Sequence, residues 1–180
     1  GGWAAAGRAR PPPPTFRNAD RAVNFGLELE GRYGLGFAHP YLRASSVLGN
    51  FTLVDSDVTV FGDDVVVART GRPLQGQAPY IINLGLNFVE PNRGTAVSLL
   101  YNRLGSRIVE VATAFEDDIF EEPRDVIDFT VTQPLMGNRF ELRLAARDIL
   151  AQPQRSTQEG ILVRQNERFS SFALGLSLRY

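Results

Sequence analysis

The sequence has no cysteine, a single histidine (His39), no excess of either charge and no long apolar run. Without cysteine, a disulfide scaffold and thiolate metal sites are both excluded, although the compartment is left open. With one histidine, a histidine-rich metal site is excluded as well. The 19 basic residues face 20 acidic ones, a net charge of -1. A polyanionic partner needs a basic stripe, and none is present, so no nucleic-acid partner is expected. No stretch approaches the roughly 20 apolar residues of a membrane-crossing helix. The opening "GGWAAAGRARPPPPTF" has neither an initiating Met nor the basic, apolar and cleavage regions of a secretory leader. If the chain is exported, its signal is expected upstream, which makes the chain a fragment.

What the sequence does have is alternation. The 180 residues, 43% of them apolar, suffice for one domain, and their hydrophobic pattern repeats every second residue rather than every third or fourth. "AVNFGLELE" sets Val23, Phe25, Leu27 and Leu29 against Asn24, Gly26, Glu28 and Glu30. "YIINLGLNF" sets Tyr80, Ile82, Leu84, Leu86 and Phe88 against Ile81, Asn83, Gly85 and Asn87. "TAVSLLYN", "DVIDFTVT" and "RFELRLAAR" repeat the pattern through Val97, Leu99 and Tyr101, then Ile127, Phe129 and Val131, then Phe140, Leu142, Leu144 and Ala146. The closing "SSFALGLSLRY" places Phe172, Leu174, Leu176, Leu178 and Tyr180 on one face, with Ser171, Ala173, Gly175, Ser177 and Arg179 on the other. A less regular stretch, about 37 to 54, runs through Leu42, Ala44 and Leu48. Successive strand residues point to opposite faces, so these are seven strands, each with one apolar face.

The connections alternate too. "GRYGLG", "VEPNRG" and "QPLMGNR" are short and rich in Gly, Pro or Asn, as hairpin turns are. Between them lie long connections at roughly 55 to 78, 104 to 124 and 151 to 168. Transmembrane barrels alternate in this way, with short periplasmic turns and long extracellular loops. The predicted fold is therefore all-β: an antiparallel up-and-down transmembrane β-barrel segment of about seven strands. Phe88, Phe140 and Tyr180 fall near the short-turn ends of their strands, where an interfacial aromatic girdle belongs. The opposite face is small and polar, through Gly26, Ser45, Asn83, Gly85, Ser98, Ala145, Ser171, Gly175 and Ser177. Arg143 and Arg147 are expected beside Asp128 and Arg179. That mixture suits a polar lumen better than the Glu- and Lys-rich solvated face of a soluble sandwich.

The remaining motifs point elsewhere only faintly. "RPPPPTF" has the composition of a polyproline ligand, but reads better as a stiff solvated stretch. "DSDVTVFGDD" and "FEDDIFEEPRD" are acidic without the ordered ligand spacing of a calcium loop, so no metal is expected. A hydrolase would have to pair His39 with Ser45 or Ser46, and no nucleophile signature surrounds either serine. "GRYGLG" lacks the Lys-Ser/Thr and the helix of a phosphate loop. No catalytic residue and no cofactor is implied.

In order and spacing, "RPLQGQAPYIINLGLNF", "GTAVSLLYNRLGSRI", "EEPRDVIDFTVTQPL", "NRFELRLAARDILAQ" and the terminal aromatic strand resemble the C-terminal barrel region of TonB-dependent outer-membrane receptors. The upstream "FRNADRAVNFGLELEGRY" resembles the preceding strand, so the resemblance covers about residues 15 to 180. Its more specific elements are Gln75, Gly76, Pro79, Tyr80 and Asn83, and the "RDIL" that closes the sixth strand. It implies a barrel of about 22 strands plugged by an N-terminal domain. That architecture takes up a scarce nutrient, is energised by the TonB complex through the plug, and sits in the cell outer membrane. The implied partners are outer-membrane lipid, the remainder of the barrel and plug, and the barrel-assembly machinery. Seven strands cannot close such a barrel, so residues 1–20 are expected as a Pro-rich loop or linker and 21–180 as an incomplete set of C-terminal strands, with plug and earlier strands absent. The ending Phe172, Leu174, Leu176, Leu178, Tyr180 resembles the C-terminal signal read by the assembly machinery. The alternatives are another outer-membrane barrel, a porin or adhesin, and a soluble β-sandwich binding module.

Overall fold

A computed structural model describes residues 21–59, 71–112 and 116–178. The Pro-rich stretch 1–20 and Tyr180 lie outside these residues. Eleven strands form among the described residues: β1 (Arg21–Gly34), β2 (Ser45–Thr59), β3 (Tyr80–Val89), β4 (Ala96–Leu104), β5 (Arg107–Glu110), β6 (Ile119–Glu121), β7 (Asp125–Leu135), β8 (Phe140–Arg147), β9 (Gln154–Gln158), β10 (Ile161–Asn166) and β11 (Ser171–Leu178). Seven of them make one antiparallel sheet in the order β1-β2-β3-β4-β7-β8-β11, each beside its neighbour in the chain apart from the inserted strands. This wall is the up-and-down sheet expected from the alternation, and among the described residues it is open, with β1 and β11 as its edges.

The turns explain why these strands reverse where they do. Between β3 and β4, the Glu90 carboxylate accepts from the backbone N–H of Asn92 at 3.0 Å and from that of Arg93. Those donors hold the carboxyl below its ordinary pKa, since each stabilises the charged form. Between β7 and β8, Met136, Gly137 and Asn138 all take positive φ. Gly and Asn tolerate that region, which is why "MGN" reverses the chain so tightly. The β1–β2 connection differs from its sequence reading. Residues expected to begin the second strand form two single 3-10 turns, Leu35–Phe37 and Pro40–Leu42, and the strand starts only at Ser45. Pro40 supplies no N–H for pairing, and His39 caps the second turn by accepting from the Tyr41 N–H at 3.3 Å. Leu42 and Ala44 therefore lie outside the strand, and Leu48 sits on its polar face.

Register sorts the wall into two faces, because directly paired residues share a side. One row runs Ser45 (expected on the polar face, but paired with Phe88), Phe88, Val97, Val131, Leu144, Leu174. Its face also carries Phe25, Leu27, Leu84, Leu86, Phe129 and the β11 residues Phe172, Leu176 and Leu178, so it is apolar. The opposite face carries a row of amides: Asn50 pairs with Asn83 and Asn83 with Asn102. Asn102 Nδ2 donates to Asn83 Oδ1 at 2.7 Å, Asn83 Nδ2 to Asn50 Oδ1 at 3.3 Å, and Asn50 Nδ2 to Glu28 at 2.5 Å. Leu48, Val54, Ile81, Leu100, Leu104 and Val126 are apolar exceptions on this side. The sheet is also sheared. Towards the short turns, β3 stops one residue past the row, at Val89, whereas β7 and β8 pair on to Leu135 and Phe140. Towards the long connections, β2 and β3 pair out to Leu53 and Tyr80, while β8 and β11 stop at Arg147 and Ser171. Both ends step in the same direction, as tilted strands in a barrel wall require.

Close packing on the polar face is sharpest at Gly85. A Cβ there would lie 2.7 Å from Leu48 Cγ. Gly85→Val is expected to cost about 1–3 kcal/mol through overpacking. The check is the thermal midpoint of the heat-modifiable gel band, and Leu48→Ala in the same chain should recover most of the loss.

Candidate functional site

The long-connection end of the wall is where the fold departs from a simple sheet. The segments 104–124 and 151–168, expected as loops, build a second sheet in the order β10-β9-β6-β5. Its strands follow the wall below: β5 continues from β4, β6 leads into β7, β9 follows β8 and β10 leads towards β11. The buried apolar side chains among the described residues, Val58, Ala78 and Ile108, all belong to this end, with Ile108 only 1% exposed. Gly76 N–H donates to the Ile108 carbonyl at 2.8 Å and Gln75 Nε2 to that of Val109 at 2.8 Å, so the 71–79 segment caps the β5 edge. Gln75 and Gly76, singled out in the sequence, thus fasten one long connection to the next. Leu74 N–H reaches Ser56 Oγ at 3.0 Å and joins the same segment to β2.

Where the two sheets meet, a polar network crosses four elements. Asp125 at the start of β7 is paired in register with Arg103 on β4. Asp125 Oδ1 accepts from Arg103 Nη1 and from Tyr101 Oη, each at 2.7 Å. Arg103 Nε also donates to Tyr80 Oη at 3.3 Å, and Gln152 Nε2 to Asp125 Oδ2 at 3.4 Å. The "RDIL" motif completes the join. Asp148 and Ala151 take positive φ, folding the chain back at the end of β8. Asp148 Oδ2 then accepts from Arg124 Nη1 at 2.7 Å, and Asp148 N–H donates to Asp128 Oδ1 at 2.8 Å. The chain has no lysine, so every cation here is an arginine, whose planar fork suits pairing with carboxylates.

Above this rim lie two recesses. One, of about 520 Å³, is lined by Arg72, Ile108, Asp117, Asp118, Phe120 and Glu159, among others. Arg72 stands 3.7 Å from Asp118. The other, about 190 Å³, opens beside the amide row at Asn102 and is lined by Arg107, Glu121, Arg124, Gln154 and Arg168. There Arg107 pairs with Glu121 at 3.2 Å, Gln154 Nε2 donates to Glu121 at 2.7 Å, and Arg168 donates to Gln154. Arg164 on β10 pairs with Glu110 on β5, so the opposite edges of the outer sheet curl towards each other. These surfaces offer polar and charged contacts to a ligand. Among the described residues, no three His, Asp or Glu side chains are arranged to hold a metal ion.

The residues named from the sequence fall as follows. Phe172, Leu174, Leu176 and Leu178 share the apolar face of the edge strand β11, with Phe172 77% exposed. Phe88 and Phe140 share that face, each close to its short turn. Arg143 and Arg147 lie on the polar face, Arg147 level with Asp128, immediately beyond the last β7–β8 pair, Phe129–Ala146. Aromatic residues were also missed. Tyr33, Phe37 and Tyr41 cluster at the β1–β2 connection, where Tyr33 and Phe37 meet edge to face at 5.2 Å. Tyr80 and Tyr101 mark the opposite rim. The density of rings in "YGLGFAHPY" was a readable signal; the pairing of Tyr101 with Asp125 depends on register and was not.

A sheared, two-faced, up-and-down antiparallel sheet carrying a folded cap at one end defines a segment of β-barrel wall. No family model matches the chain, and no curated protein matches it in sequence. Among solved structures, the crystal structure of the ferric citrate transporter FecA in its unliganded form is similar, with a TM-score of 0.64 and 16% identity. The match covers 86% of this chain and 24% of that one, so the chain spans about a quarter of the FecA structure. At that identity the likeness shows the fold alone. Among the described residues no helix is long and apolar enough to cross a membrane.

Proposed function

We propose that the chain is the C-terminal part of the barrel of a TonB-dependent outer-membrane receptor, which takes up a scarce nutrient through a plugged barrel. The observation that carries this reading is the uncovered apolar face. Seven paired strands present Phe25, Leu84, Leu86, Phe129, Phe172 and Leu174 on one side, and no layer among the described residues packs over them. A soluble sandwich buries that face against a second sheet, whereas a barrel wall turns it to lipid. The FecA likeness supports the same reading at the level of fold. The apolar face then contacts outer-membrane lipid, the amide row faces the lumen and its plug, and the outer sheet lies in the extracellular vestibule. There it contributes to ligand capture. The TonB complex acts through the plug, in residues outside this chain, and residues 21–180 form the closing strands.

The short-turn aromatics fit that placement. Strands tilted by about 40° shift a level line by roughly one residue per strand. Between β3 and β8 the line therefore moves from Phe88 towards Phe140, in the direction in which the sheet is sheared. Phe88, Phe140 and Tyr180 then form the inner girdle, joined by Tyr33, with Tyr80 and Tyr101 at the outer interface. Phe172, Leu174, Leu176, Leu178 and Tyr180 form the edge strand offered to the assembly machinery before closure.

The test is an immunoblot of membrane fractions with an antibody against the C-terminal strand. A band several times the 19.9 kDa of this chain, in the outer membrane, is expected. A soluble band of that smaller mass would sink the reading in favour of a sandwich. A full-length chain without a plug domain upstream would favour a porin or adhesin.

A further inference from the structure

We infer that the outer sheet carries a docking site for the arginine- and proline-rich segment 8–17 of the same chain, "RARPPPPTFR". The inference goes beyond the barrel reading and does not need lipid on the wall. Two recesses adjoin on the outer sheet. The first, of about 520 Å³, has Ile108, Phe120 and Thr157 in its lining, and register places these three on one face. The second, of about 320 Å³, is lined by Ile161 and Val163, which are 67% and 47% exposed. Asp117 and Glu159 line both, so the recesses form one continuous surface. Glu116, Asp118 and Glu122 add to its carboxylates, and among the described residues Arg72 is the one cation in either lining.

Apolar side chains among an excess of carboxylates call for an occupant with apolar bulk and positive charge. An added strand is not that occupant, because Arg164 already ties β10 to Glu110 on β5. Segment 8–17 has the required chemistry. It holds Arg8, Arg10 and Arg17, no acidic residue, Phe16 and four consecutive prolines. Proline lacks the N–H that strand pairing uses, and a proline run is preset as an extended helix that lies in apolar and aromatic grooves. The carbonyls of such a run are free to accept hydrogen bonds. Arg72 Nε is buried without an acceptor among the described residues, and a buried donor requires one. Position agrees with chemistry. β1 begins at this end of the wall, where Arg21 pairs with Thr59 and the adjacent Val58 bridges to Arg72. Arg21 and Arg72 are therefore two strand spacings apart, roughly 10 Å. The four residues from Arg21 back to Arg17 span up to about 13 Å when extended, enough to cover that distance. The four prolines then carry Arg10 about 12 Å further across the surface.

The distance between two spin labels, measured on the full-length protein in detergent, tests this. The chain has no cysteine, so Ala9→Cys with Leu162→Cys supplies the two labelled positions. Leu162 pairs with Thr157 and stands beside the recesses without lining them. Docking predicts one short, narrow distance. Glu116→Gln with Glu159→Gln, both exposed, should broaden it, as should high salt or an excess of the peptide RARPPPPTFR. Glu30→Gln, on the wall, should leave it unchanged. A broad distribution in the doubly labelled protein would overturn the inference and leave the barrel reading standing. A narrow distance that survives both glutamate substitutions and the added peptide would overturn it too, because the segment would then be held elsewhere. A narrow distance that vanishes when labelled protein is diluted with unlabelled would assign the segment to a second copy and overturn docking within the chain.

Discussion

Replacing Leu84 with arginine is expected, on the proposed barrel reading, to remove about 2–4 kcal/mol of folding stability in a bilayer, because the new charge would enter near the midplane of the hydrocarbon. Leu84 is 48% exposed and sits on the apolar face between Phe88 near the inner turns and Tyr80 at the outer rim. The same substitution in a water-soluble sheet would change little, since half-exposed surface positions usually shift stability by less than about 0.5 kcal/mol. The sign and size of this one change therefore separate lipid from water on that face. Ser98→Arg, on the polar face of β4, is the control, and its effect should stay below about 1 kcal/mol because the proposed lumen side avoids the hydrocarbon. Both are read from urea-dependent folding into lipid vesicles. Equal losses at the two positions would contradict the assignment of faces.

Asp125→Ala is expected to cost about 2 kcal/mol and to loosen the outer sheet. The carboxylate accepts from Arg103, Tyr101 and Gln152, and the Arg103–Asp125 pair is only partly exposed, at 33% and 25%. Hydrogen bonds to charged groups contribute roughly 1.5–3 kcal/mol, and solvent at the rim lowers the upper figure. Removing the acceptor also strands an arginine beside two tyrosines. Arg103→Ala combined with Asp125→Ala should therefore cost less than the sum of the two single changes. The expected signature is a lower thermal midpoint together with faster protease cleavage in 151–168. An unchanged midpoint with additive single effects would show that the network does not hold the loops to the wall.

The wall was largely legible in the sequence because its information is local. Six of its seven strands were read from alternation alone, although β1 runs on through Gly31–Gly34, expected as turn, and β7 three residues past its expected end. Phe25, Leu84, Phe129 and Leu144 could be assigned to one face without knowing any partner. The second strand failed for a local reason as well: Pro40 and His39 make 3-10 turns where the alternation was weakest. Leu48, taken there as part of an apolar run, lies on the opposite face over Gly85. The outer sheet was not legible. Its strands are short, β6 being only Ile119–Glu121, too short for a period of two to appear. Their partners are distant, since Arg107 pairs with Glu121 and Phe120 with Thr157. The acidic "FEDDIFEEPRD" read as loop because its charges conceal Phe120, whose face lies with Ile108.

By itself, then, the sequence determined the class of fold, the two faces of the wall and the end at which the turns are short. Each follows from the alternation of side chains along an extended chain and from the backbone preferences of Gly, Asn and Pro. Only the tertiary structure decided that the long connections fold into a second sheet and that its buried centre is Ile108. It alone brought Tyr80, Tyr101, Arg103, Asp125 and Gln152 into one network, and it alone set Arg164 on β10 against Glu110 on β5. Those features depend on register between segments far apart in the chain, and register is set by the pairing of whole strands, which no single stretch of residues contains.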